Sequence, residues 1–309
     1  MATTTTADVR LSSLPPATGR AGLRGVIASE FTKLRSVRST YWTIGSLLVT
    51  SVGLAAAIGA GTVAQIHSDP GNKAAFDATQ TSLGFFFYVG QLIIAVLGAM
   101  VITSEYSTGM IRTSLAAMPR RGVVFGSKLL VFTAAALVVS LVTSFLAFFV
   151  GQAVMSGTGV SASLFHNTTV PLGVIESNGN AAKFAGTITI TPGDVLTAVI
   201  GTALFVTVAA VIAFGLGAII RHTAGTIASA VGLLFVLPII IQLLPSSWRD
   251  DIIRFVPASA GTVLSATVKL PNNDDYVHLW STWPQFGVTL IWAAVLVGIG
   301  AYLFRKRDA

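Results

Sequence analysis

The sequence predicts an all-α, polytopic membrane protein. Three observations carry that class: only 10% of the 309 residues are charged, 53% are hydrophobic, and the mean hydropathy is +0.78. A soluble domain carries about 25% charged residues. The apolar residues gather into charge-free windows long enough for helices of about 20 residues, the length that crosses a hydrocarbon core. A closed barrel would instead show short alternating segments. The absence of cysteine excludes disulfides, thiolate metal sites and cysteine nucleophiles.

Taken in order, residues 1–23 are rich in Thr, Ser and Pro without an apolar run, and read as a disordered tail. They lack the apolar core of a signal peptide. In 24–38, Ile27, Phe31, Leu34 and Val37 recur at helical spacing, with Glu30, Lys33, Arg35 and Arg38 between them. This pattern fits an amphipathic helix on the inner membrane surface; a juxtamembrane extension of the first span is the alternative. The domain from 39 to 309 holds six spans, at about 41–64, 83–103, 129–155, 195–220, 223–244 and 285–304, none with a formal charge inside it.

Basic residues set the orientation. With both termini in the cytoplasm, only Lys73, Lys183, Arg249, Arg254 and Lys269 of the 19 basic residues fall outside. Conversely, only Asp8, Glu30, Glu105 and Asp308 of the 12 acidic residues fall inside. The net charge of +7 is therefore a membrane-orientation signature, and no basic, aromatic-laced soluble face exists for a nucleic acid. Tyr41, Trp42, Trp280, Trp283 and Tyr302 mark span edges, as aromatic residues do at headgroup depth.

The loop after the second span, from Ser104 to Arg121, is the most informative stretch. Ser107 is suited to cap a short helix and Pro119 to stop it, with Ile111, Leu115 and Met118 on one face. Gly109 lets the chain turn sharply after Glu105. Two readings stand. Such a helix docks in a partner's groove, or Glu105 merely pairs with Arg112 and the segment connects two spans. On the other side, 156–194 reads as a long loop whose Gly186–Thr191 run suits a short strand. Trp248, Ile252, Phe255 and Val256 form an apolar stripe for a second surface helix, and the charge-free 257–268 is either a re-entrant element or a surface loop.

Catalytic signatures are missing. The nearest string to a phosphate-binding loop, Gly122 to Leu129, has the wrong spacing and final residue, so the chain is not expected to hydrolyse ATP. His67, His166, His222 and His278 are isolated, and the Asp250-Asp251 and Asp274-Asp275 pairs read as solvated loop rather than metal ligands. No catalytic or metal residue is assigned. Ionisable groups within spans, which ion-coupled carriers use, are also absent. If cargo moves uphill, the energy enters from elsewhere, and the 104–119 segment is the natural port.

The order of parts resembles the type-2 ABC exporter permeases of bacteria (ABC-2 type). The resemblance rests on the basic string Ser29 to Ser36 before the first span, on Glu105-Tyr106-Ser107-Thr108-Gly109-Met110-Ile111-Arg112 after the second, and on Pro119-Arg120-Arg121 and Lys128 before the third. It implies a permease subunit of the bacterial cell membrane, with ATP and Mg bound by separate ABC ATPase partners and no cofactor in this chain. A second permease subunit, identical or related, would complete the pathway. The resemblance makes 24–38 the elbow helix, with Ile27, Phe31, Lys33, Leu34 and Arg35. It makes the loop the coupling helix, with Glu105, Gly109, Arg112, Leu115, Met118, Arg120 and Arg121 facing the ATPase. Re-entrant helices before the last span are also implied. A membrane scaffold or sensor subunit that binds a cytoplasmic partner without transport is the alternative function.

Overall fold

The computed structural model describes residues 22–68, 76–117, 120–177, 180–268 and 279–306; for Arg112, Leu115, Ala117, 170–177 and 180–188 it describes backbone alone. A connecting helix α1 (Leu23–Ser36) precedes the first long helix, α2 (Arg38–Ser68). Val37 between them is extended, with φ −82° and ψ 118°, so α1 is not a continuation of α2. The chain continues through α3 (Ala78–Ser107), short α4 (Met110–Ala117) and α5 (Arg121–Met155). After a β-hairpin come α6 (Pro192–Ile220), α7 (Thr223–Gln242), short α8 (Ser246–Ile252) and α9 (Ser259–Ser265), and finally α10 (Thr282–Lys306). Six of these helices, α2, α3, α5, α6, α7 and α10, are long and apolar enough to cross a membrane. Each expected span lies inside one of them, except that α7 stops at Gln242, two residues early. The helices overrun the charge-free windows because backbone hydrogen bonding does not stop where the side chains become polar. Thus α3 takes in Glu105 and α5 takes in Lys128.

The centre of the bundle is α6, whose buried residues run from Val195 to Ala218 and face neighbours all round. Lipid gives apolar helices no hydrophobic reason to associate, so small residues that admit close backbone contact decide the packing. At Gly98 of α3 a Cβ would strike the Ala210 carbonyl oxygen of α6; at Gly215 it would come 2.9 Å from the Leu296–Val297 backbone of α10. At one end, Phe132 stacks on Phe214 at 5.8 Å, and Phe125 bridges Phe214 and Phe304 at 5.5 and 5.4 Å. This is the basic end, where α1, the close of α3, α4 and the start of α5 also meet.

Two π turns interrupt the long helices, at Phe86–Gly90 in α3 and Gly232–Val236 in α7. In α7 the cause is Pro238, which has no N–H to give the Leu234 carbonyl and whose ring crowds it. Gln91 Nε2 of α3 reaches that carbonyl at 3.5 Å.

Opposite the basic end, the expected long loop is a hairpin. Strands β1 (Thr168–Ser177) and β2 (Asn180–Ile190) pair antiparallel from Thr168↔Ile190 to Ser177↔Asn180, with a register shift between Leu172 and Val174. The Thr-Ile alternation revealed the end of β2. Gly157, Gly159, His166, Asn167 and Pro171 made the stretch read as a loop, and the irregularity lies between Leu172 and Val174 of β1. The all-α description therefore holds for the bundle and excludes this hairpin.

The segment before the last long helix folds inward. Of the expected stripe, Trp248, Ile252 and Phe255 are exposed and Val256 is buried. The charge-free stretch becomes α9, whose Leu264 fills the space at Gly201 and whose Gly261 lies against Phe87 and Phe205. Gly201 and Phe205 lie about 14 and 20 Å from the start of α6, at 1.5 Å per residue. The broken backbone there is satisfied by side chains of α10: Gln285 Nε2 donates to the Arg254 carbonyl at 2.9 Å, Trp292 Nε1 to Phe255 at 2.9 Å, and Thr289 Oγ1 to Pro257 at 2.8 Å. Non-helical backbone needs such protein partners when no water is at hand. The Asp77 carboxylate anchors the far end, accepting from the Thr267 and Val268 amides at 2.6 and 2.7 Å while capping α3 through Thr79 and Gln80.

Candidate functional site: an ion network at the basic end

The amphipathic pattern of α1 is real, but its polar face is turned into the protein. Phe31 and Val37 are exposed, as apolar residues facing lipid would be, whereas Glu30 is buried. One turn on, Lys33 lies on the same side, because residues three apart share a helix face. The close of α3 supplies Glu105 and the start of α5 supplies Lys128. The side chains of Glu30, Glu105 and Lys128 are 5, 7 and 6% exposed.

These four charges form one network. Lys128 Nζ donates to Glu30 Oε2 at 2.6 Å and to Glu105 Oε1 at 2.7 Å. Lys33 Nζ donates to Glu30 Oε1 at 2.9 Å, to Glu105 Oε1 at 3.0 Å and to Ser114 Oγ of α4 at 3.3 Å. Two carboxylates balance two ammonium groups, and four helices meet on them. Desolvation pushes the Glu30 carboxyl up, but its pairing and hydrogen bonds with Lys128 and Lys33 outweigh that, and its pKa lies below the ordinary value. Burial likewise pushes Lys33 down, and its bonds to Glu30 and Glu105 reverse the effect and raise it. Both groups therefore stay charged at neutral pH.

The link from α3 to α4 turns at Gly109, whose φ of +70° suits glycine and strains other residues. Ser107 does not cap α4 as expected. Its hydroxyl donates back to the Ser104 carbonyl at 3.0 Å, which belongs to the last turn of α3. Ile111 is buried against the aromatic cluster, while Met110 is exposed. Next to Glu105, the Tyr106 ring lies 4.8 Å beneath the Arg221 guanidinium. Arg221 itself holds a left-handed φ of 60° in the α6–α7 turn and donates to the Leu303 carbonyl of α10 at 3.4 Å. Thr223 Oγ1 donates to Thr103 Oγ1 at 2.9 Å. The close of α3 is thereby fastened to α1 and α5 on one side and to α6, α7 and α10 on the other.

The expected residues thus divide. Lys33 and Glu105 join the network, Gly109 makes the turn, and Ile27 and Leu34 are half-buried beneath α1. Phe31 and Arg35 face outward. Arg120 and Arg121 open α5 outside the network, Arg121 donating to the Arg305 carbonyl at 3.4 Å. The side chains of Arg112 and Leu115, all of Met118 and Pro119, residues 1–21 of the tail, and the Asp274-Asp275 pair lie outside the described residues. Glu105 is engaged by Lys33 and Lys128, and the alternative pair with Arg112 falls on a side chain outside the described residues. Asp250 and Asp251 are held by Arg249 and Arg254 at 3.1 and 2.6 Å. Glu30, Lys128, Ser114, Tyr106 and Arg221 were missed as site residues. Glu30 carried a signal, being the one acid on a basic helix.

This arrangement offers no nucleophile or acid–base pair facing a reactant. Chemically it is a largely buried clasp, open to a cavity on the Lys33 side, that ties α4 to α1, α3 and α5. No curated protein matches the chain. A family match is found over residues 26–175, which takes in α1, the whole network, α4 and α5 and runs into β1, and the family is described as ABC-2 family transporter protein. The resemblance carried by the Glu105–Arg112 string is thereby shown: over residues 26–175, just under half of its length, this multi-pass membrane protein matches the ABC-2 transporter family.

Proposed function

We propose that the chain is the transmembrane permease subunit of an ATP-driven exporter, coupled through the 104–119 segment to separate ABC ATPase chains on the cytoplasmic side. The observation that carries this is the clasp itself. A short helix with exposed Met110 and Thr113 is set off from the bundle by the turn at Gly109, yet Ser114 and Glu105 tie it to α1 and α5 through buried charges. A partner pressing on α4 moves three helices, two of them long, rather than a loop. The ATPase binds ATP and Mg, and this chain supplies the path, with a second permease subunit facing it. Both termini lie in the cytoplasm, and α1 lies along the inner leaflet.

The test is co-purification of the chain with an ABC ATPase, followed by measurement of nucleotide hydrolysis in the complex. The wild type forms the complex and stimulates hydrolysis. Combined Gly109→Pro and Arg112→Glu changes abolish both while the permease still folds. Normal complex formation and transport by that variant would remove the coupling role.

A further inference from the structure

We propose that the groove beneath α1 binds one acidic phospholipid, with an acyl chain in the groove and the phosphate on the Arg35 guanidinium. A cavity of about 200 Å³ lies between α1, α2, α3 and α5, with Leu34, Ile44, Leu97, Phe132, Ala135 and Val139 on its walls. Phe132 to Val139 is two turns of α5, about 10 Å along the helix axis, which is also the direction of lipid chains. Arg35 is the one charged residue lining it.

The charge arrangement favours an anion. Glu30 is the one acid of α1, and Lys33 and Lys128 consume it. The outward face of the helix is therefore cationic, with Arg24 and Arg35 exposed and Arg38 following. Arg35 makes no hydrogen bond or ion pair among the described residues. Tyr41, also on the cavity wall, and the 80% exposed Trp42 place this level at the headgroups. A guanidinium there takes a phosphate through paired, charge-assisted hydrogen bonds. A bare phosphate would leave the apolar groove empty, and a neutral lipid would forgo the field of the arginines.

The full-length chain in detergent is titrated with dioleoyl-phosphatidylglycerol, dioleoyl-phosphatidylcholine or glycerol phosphate, and adducts are counted by native mass spectrometry. One phosphatidylglycerol is retained in preference to phosphatidylcholine by about fivefold, the effect of one basic residue at a membrane surface. Arg35→Gln removes the preference and Arg35→Lys keeps most of it. Ala135→Phe, which fills a half-exposed wall of the groove, loses both lipid adducts. Glycerol phosphate neither binds nor competes. An unchanged preference in Arg35→Gln, full lipid retention in Ala135→Phe, or competition by glycerol phosphate would overturn the proposal. None of these readouts depends on an ATPase, so the result is independent of the exporter reading.

Discussion

Lys128 bears the heaviest load of any single residue at the basic end. It sits 6% exposed between two carboxylates, each within 2.7 Å. Replacing it with Met leaves Glu30 and Glu105 facing each other with, among the described side chains, only the half-exposed Lys33 between them. Breaking a buried ion pair from one side costs about 3–5 kcal/mol. Lys128→Met should therefore lower the thermal midpoint of the detergent-purified chain sharply. Adding Glu30→Gln should cost less than the sum of the two single losses, since the groups are coupled. The pH dependence follows from the same contacts. Glu30 titrates below its ordinary value near 4.3, so its stabilisation is complete above that pH and is lost as pH falls through the lower folded value. Lys33 titrates above its ordinary value near 10.4, so its contribution is present below that pH and is lost as pH rises through the higher folded value. Between about pH 5 and 10 the contribution of these two groups is flat. A melting series from pH 3 to 8 should fall on the acid side, and less steeply for Glu30→Gln than for wild type.

Among the elements, α6 tolerates least change, because its neighbours touch its backbone. Gly98→Ala sets a methyl group against the Ala210 carbonyl oxygen, which no rotamer relieves. Overpacking of this kind costs about 1–3 kcal/mol. The variant should melt earlier, whereas Gly53→Ala, which meets nothing within 4 Å, should melt as wild type does. Gly53 and Gly61 of α2 are as small as Gly98, yet within this chain both are open. Small residues show that helices can approach; they do not show which face does. The six long helices were legible because absence of charge over some 20 residues is a one-dimensional signal. The clasp was only half legible. Glu105 and Lys33 stood out by position, but Glu30 and Lys128 looked like ordinary flanking charges. Their meeting depends on how α1 folds back over α5, 98 residues away in sequence. The hairpin was half seen for the same reason: alternation marks one strand, and its partner is fixed by pairing.

For the whole molecule, the charge distribution and the clasp point the same way. The basic residues gather where α1, α4, the start of α5 and the end of α10 meet. Force applied at α4 reaches α1 and α5 through Glu105 and reaches α6, α7 and α10 through Tyr106, Arg221 and Leu303. The account stands on α4 being the handle that an ATPase grips. The chain has no cysteine, so Thr113→Cys places a single thiol on the exposed side of α4. Cross-linking that thiol in inside-out vesicles that contain the ATPase tests the claim most directly. The account predicts a permease–ATPase adduct whose yield changes when ATP is added. Modification of the thiol by an impermeant reagent from the outer medium, or an intact complex with no adduct, would contradict it.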